Sequence, residues 1–180
     1  DTTLAGSVNR AQRWLETGSY HVARRYLTSI LPRVKGTERE QSVAMLLTRA
    51  AFEDKDYEEA YNRASDLLEL PLGGEQTATT YFVHGVSAFQ TKRPATAVQS
   101  LTYFLDRAPT DSRRSEAFYW RALSELDLGD WKLAESDLDR SFNDVVGVPF
   151  RDRALIGFAL SMERRGEYSQ AVEKLEKFLA

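Results

Sequence analysis

The sequence predicts an all-α chain, a solenoid of five helix-turn-helix repeats, on three observations. Apolar residues recur at helical spacing along the whole chain and are interrupted by short turns carrying Gly, Asp or Pro. The interruptions fall at a fixed interval, with Gly18, Lys55, Lys92, Gly129 and Gly166 each 37 residues apart. In the same register come Tyr20, Tyr57, Pro94, Trp131 and Tyr168, and then Ala23, Ala60, Ala97, Ala134 and Ala171. A small residue in all five copies marks close helix approach, and a fixed period of this size means stacked repeats.

The repeats span about 4–36, 37–74, 75–111, 112–148 and 149–180, read as a single domain. In the first, Leu4, Val8, Ala11, Trp14 and Leu15 form one apolar stripe, and Tyr20, Ala23, Leu27, Ile30 and Leu31 form the next. Pro32 and Gly36 are expected to end that pair, and Thr37 with Glu40 reads as a capping box opening the next helix. The second repeat carries Ala44, Leu47, Ala51 and Phe52, the turn Asp54-Lys55-Asp56, and then Tyr57, Ala60, Ala64 and Leu67 before Pro71 and Gly73-Gly74. Asp56 is its expected N-cap, answered by Glu59. The third has Ala78, Phe82, Gly85 and Phe89, then Pro94 in a first helical turn, where its missing N–H is harmless, and Ala97, Leu101 and Phe104 up to Pro109. The fourth has Phe118, Tyr119, Ala122 and Leu126 before Gly129, and Ala134, Leu138 and Phe142 after it. The fifth opens at Pro149, with Leu155, Phe158, Ala159 and Met162, and closes with Ala171, Val172, Leu175, Phe178 and Leu179. Ala11, Gly85, Ala122 and Ala159 are the expected close-approach residues of the first helices, with Thr48 as the odd member.

Composition narrows the function classes. The net charge is −3 with both signs interspersed, which argues against a phosphate-binding track and hence against a nucleic-acid partner. No apolar run approaches the length of a membrane span, so direct membrane insertion is not expected. Cysteine is absent, which removes thiolate chemistry. No Gly-rich phosphate loop or zinc-protease helix motif is present, and the two histidines are far apart. His84 reads as a packed core histidine and His21 as solvated. The pairs Asp54/Asp56 and Asp137/Asp139 lack the further ligands of a calcium loop. No catalytic, cofactor or metal site is therefore expected, and the chain does not read as an enzyme.

The fourth repeat, with Ala122, Gly129, Asp130, Trp131, Ala134, Leu138 and Pro149, resembles the tetratricopeptide repeat. The likeness extends over all five copies, with a period three residues longer than the usual one of about 34. That longer spacing is similar to repeats of bacterial envelope proteins, a resemblance that implies a bacterial source and, of cytoplasm and periplasm, slightly favours the periplasm. The resemblance implies a right-handed α-solenoid that binds a protein or peptide on its concave surface, lined by chosen positions of each first helix. Carried across by register, these are Val8, Gln12 and Leu15; Met45, Arg49 and Phe52; Phe82, Val86 and Phe89; Tyr119, Leu123 and Leu126; and Ile156, Leu160 and Glu163.

Most of these residues are apolar or aromatic, which suits an amphipathic helix or extended apolar peptide, with Gln12, Met45, Arg49, Phe52, Phe82, Val86, Phe89, Tyr119 and Leu123 as its contacts. The same stripe also fits plain core packing between repeats, with Arg49 paired to Glu53 four residues on. The alternative role is a structural spacer whose groove is filled in cis or by self-association. Glu58-Glu59, Arg113-Arg114 and Arg164-Arg165 read as solvated faces. An apolar last helix with no polar cover predicts a piece of a longer repeat protein, or a homo-oligomer through that helix.

Overall fold

The computed structural model describes residues 2–146 and 150–179, without the side chains of residues 2–5, 174 and 177–179. Leu4, Pro149, Phe178 and Leu179 of the apolar pattern lie outside the described residues or side chains. The described residues form ten helices: α1 (Thr2–Glu16), α2 (Tyr20–Val34), α3 (Glu40–Glu53), α4 (Tyr57–Leu68), α5 (Gly74–Gln90), α6 (Pro94–Arg107), α7 (Arg114–Leu128), α8 (Trp131–Asn143), α9 (Arg151–Arg164) and α10 (Tyr168–Leu179). They succeed one another as helix-turn-helix repeats, the expected all-α class, with α1 packed on α2, α3 on α4, α7 on α8 and α9 on α10. By contact they fall into two compact units, Asp1–Ser87 and Ala88–Ala180.

The turn explains the period. Gly18, Lys55, Lys92, Gly129 and Gly166 all adopt a left-handed backbone, with φ between 63° and 86°. In each repeat the residue after this one donates its N–H to the carbonyl five positions back: Ser19 to Trp14, Asp56 to Ala51, Arg93 to Ala88, Asp130 to Glu125 and Glu167 to Met162, at 2.7–3.0 Å. The left-handed residue itself donates three positions back, from Gly18 to Leu15 through Gly166 to Glu163. This double bond satisfies the last carbonyls of each first helix and aims the chain into the second. Lysine holds the left-handed position in two repeats, at a steric penalty of about 1 kcal/mol. Lys92→Gly is therefore expected to raise stability by about 0.5–1 kcal/mol, and Gly129→Ala to lower it by about 1 kcal/mol. Urea midpoints at constant slope measure both, and a drop for Lys92→Gly would refute the account.

Around these turns the alanines do what their size allows. Ala23, Ala60, Ala97 and Ala134 are wholly buried, while Ala171 in α10 is half-buried. On the first helices Ala11, Thr48, Gly85 and Ala122 are buried, but Ala159 is half-buried and Gly157 takes its place. A Cβ at Gly157 would stand 2.4 Å from Cδ2 of buried Leu138, so α8 meets α9 where only hydrogen fits. Leu15, Leu27, Ile30, Val43 and Leu47 centre the core of the first unit, and Leu126, Leu138 and Phe158 centre one in the second. Ser115 and Ser141 in the second unit each donate a hydroxyl to the other's carbonyl, and the N–H of Phe150, just before α9, donates to the Ser115 hydroxyl.

Several local expectations are corrected. Pro32 lies inside the last turn of α2, which runs on to Val34, and the stop is Gly36 at φ 75°. Thr37 is not a cap: α3 starts at Glu40 behind Arg39, and the Glu40 carboxylate reaches back to the N–H of Gly36 at 2.6 Å. Asp56 does cap α4 through the N–H of Glu59, but the Glu59 side chain turns to Arg24 and Arg63 instead of answering. The charge runs are not plain solvated faces. Arg164 pairs with Asp127 one repeat earlier, Arg165 with Glu135 and Glu167, and Arg113 with Asp111. Such pairs fix register more than they stabilise, because exposed pairs contribute less than about 1 kcal/mol.

Candidate functional site

In the first unit the face under consideration is built by α1 and α3, which touch, and by α5 up to Ser87. Leu15 is buried, Val8 half-buried and Gln12 exposed on α1. On α3, Met45 and Phe52 are half-buried and Arg49 is exposed. Phe52 sits edge-on between Tyr57 at 5.9 Å and Phe82 at 6.2 Å. Phe82 and Val86 are 3% and 2% exposed, so both act as core and not as reachable surface. Glu53 does not pair with Arg49; among the described residues Arg49 makes no ion pair, and its guanidinium stands free in solvent. Arg24 instead gathers the acids of the second turn, with Asp54 and Asp56 at 3.1 Å and Glu59 at 3.2 Å. Those aspartates are thus occupied by a cationic side chain. His84 is buried, stacked on Tyr61 with ring centres 4.6 Å apart and 3.1 Å from the Ser65 hydroxyl, and burial lowers its proton affinity.

In the second unit, α7 and α9 touch. A run of rings carries the face inward: Phe89 on Trp120 at 5.4 Å, Trp120 on Tyr119 at 4.9 Å, and Tyr119 on Phe150 at 5.3 Å. Tyr119 is 4% exposed, so burial pushes its phenol up and the ring belongs to the core. Leu126 is buried as well, and Glu163 is exposed. Phe89, Leu123 and Leu160 are half-buried, and Ile156 is 52% exposed beside them in register. Trp120 and Phe150 were not among the sequence candidates. Trp120 stands one place off the chosen stripe and is recruited by a bond from its indole N–H to Glu116 at 3.0 Å. Phe150 precedes α9, where helical spacing carries no information.

The polar interior of the second unit is concentrated behind this face. Arg121 on α7 grips Asp137 on α8 through two guanidinium nitrogens, the Nη2–Oδ1 distance being 2.9 Å, and donates to the Thr102 hydroxyl on α6 at 2.9 Å. Arg140 adds a contact to Asp137 at 3.2 Å. Glu125, one turn from Arg121, is 5% exposed, and its Oε2 has no hydrogen-bond partner. Burial, with Asp137 and Asp130 nearby, pushes its carboxyl up to about 7 against the pull of Arg121 and Arg140. Among the described residues no group of three His, Asp or Glu side chains is placed to hold a metal ion.

The comparisons agree on architecture. A family described as YfiO, an outer membrane lipoprotein, matches residues 7–115. No curated protein matches the chain. A crystal structure of MamA superimposes with TM-score 0.73 at 16% identity, covering 94% of this chain and 92% of that one. A tetratricopeptide repeat protein from Parabacteroides merdae gives 0.72 at 18%, covering 99% and 66%. Kinesin light chain repeats from Podosopora anserina, described as nearly identical TPR-like repeats, give 0.73 at 16%, covering 97% and 92%. At these identities the structures speak for the fold alone. That TPR-like fold supports a protein–protein interaction scaffold, and scaffold families of this kind are generally non-catalytic.

Proposed function

The chain belongs to the YfiO family of outer membrane lipoproteins, and from that premise we propose that it serves the bacterial envelope as a scaffold binding an apolar or amphipathic segment of a partner protein. The segment lies against the first-helix face of the first unit. The observation that supports this reading is on α3, where half-buried Met45 and Phe52 flank an exposed Arg49 without an ion pair. Apolar surface beside a free guanidinium suits a segment that alternates an apolar anchor with an acidic residue. Phe89, Leu123, Leu160 and exposed Ile156 extend the same chemistry on the second unit's own face.

The test uses residues that reach solvent, because a carboxylate at Phe82 or Tyr119 would report on folding instead of binding. Met45→Glu with Arg49→Glu is expected to lower retention of a partner captured from envelope extract at least tenfold, while half-buried Met45 limits the fall in stability to about 1 kcal/mol and the helical signal is kept. Burying a methionine contributes about 1.5–3 kcal/mol, and each 1.4 kcal/mol is tenfold in affinity. Capture of every partner at wild-type strength by the folded double variant would reject this face.

A further inference from the structure

The first unit holds a cavity of about 500 Å³ between α2, α3 and α4, on the side of the second helices and away from the Arg49 position. Its apolar lining comes from Leu31, Ala44, Leu67 and Leu70, of which Leu70 is largely exposed. The volume falls in the range of ligand clefts. The chain itself indicates what belongs there. One, two and three periods after Ala44 stand Tyr81, Phe118 and Leu155, so later repeats place a large apolar side chain where the second places a methyl.

Phe118 shows how such a ring is held. It is buried on α7 with the guanidinium carbons of Arg114, Arg121 and Arg140 at 5.4, 5.6 and 5.7 Å from its centroid. The hollow that remains outside it is lined by Arg114, Arg140 and Asp144, the register counterparts of Glu40, Asp66 and Leu70. The second unit thus places an aromatic ring at this register position, and the hollow beside it, still about 490 Å³, is rimmed by these charges together with exposed Val145 and Val146. The first unit carries only the methyl of Ala44 at the same position, beside a cavity of similar volume.

The charges around the open cavity specify its occupant further. Glu40 is taken by the N–H of Gly36, and Arg63 by Glu59 at 2.7 Å. Among the described residues Lys35 and Asp66 are left without an ion pair, one on α2's end and one on α4. We infer that this cavity is a socket for an aromatic side chain on a short segment of a partner protein, flanked by an acidic residue that meets Lys35 and a basic residue that meets Asp66. The site is separate from the first-helix face, so it stands or falls independently of the Met45 and Arg49 experiment.

The probe is a blocked pentapeptide, Glu-Ser-Phe-Ser-Lys, with its Phe→Ala counterpart as control, followed through the methyl NMR signals of Ala44 and Leu67. The Phe peptide is expected to shift both signals saturably by about 1 mM, and the Ala peptide to bind at least tenfold more weakly. Ala44→Phe, which supplies in cis what Phe118 supplies two repeats on, is expected to keep the helical signal and abolish the response. Should that variant fail to fold, Leu70→Glu at the exposed lining is expected to abolish it instead. Equal shifts from both peptides, no shift at all, or undiminished binding to whichever variant folds would overturn the socket.

Discussion

Asp137→Ala is expected to lower the stability of the second unit by about 3 kcal/mol, the largest loss anticipated from a single polar change in the chain. Asp137 is 2% exposed and answers the guanidinium of Arg121, whose side chain is 13% exposed and also reaches Thr102 on the preceding helix. Removing the carboxylate leaves a cation inside the protein with one hydroxyl for company. A stranded buried charge costs about 3–5 kcal/mol, and the lower figure applies because Glu125 lies close enough to ionise in response. Urea unfolding followed by Trp120 and Trp131 fluorescence, in a Trp14→Phe background, isolates the second unit. A loss under about 1 kcal/mol would mean that the network is solvated and that Arg121 is not held as described.

The second large effect is a pH dependence centred on Glu125. Its carboxyl titrates near 4.5 ordinarily and at about 7 in the fold. Between those values the unfolded chain has released the proton while the folded chain still carries it, so rising pH favours unfolding. The stability associated with this proton is complete below pH 4.5, falls as pH climbs toward 7, and stays lost above. The difference of about 2.5 units corresponds to about 3 kcal/mol at most. Glu125→Gln keeps the shape and cannot ionise. It is expected to match wild type near pH 4.5 and to exceed it by about 2–3 kcal/mol at pH 8, read from urea midpoints at the two pH values. An equal difference at both would show that Glu125 is ionised in the fold and that its burial carries no proton linkage.

Much of the architecture is legible in the sequence. The register of Gly18, Lys55, Lys92, Gly129 and Gly166 located five turns that share one left-handed geometry, and Pro94 marked the first residue of its helix. The candidate face was legible only as a pattern of positions. Phe82, Val86 and Tyr119 followed the same spacing as Met45, Phe52 and Leu123, yet the former are core and the latter half-buried. Helical spacing says which side chains share a face and nothing about what lies opposite them. Gly157 escaped notice for a related reason. Its role is set by Leu138 from the neighbouring helix, and Ala159 had the better register.

By itself, then, the chain determined its period, its all-α class, its turns and its stripe of small residues, because each is a local requirement repeated until it becomes visible. Tertiary structure alone decided that Arg49 stands free while Arg24 is claimed by three carboxylates, that a cavity opens beside Ala44, and that burial pushes the Glu125 carboxyl up to about 7. Exposure, ion pairing and proton affinity depend on distances between residues far apart in the chain, and those distances exist only once the helices have packed.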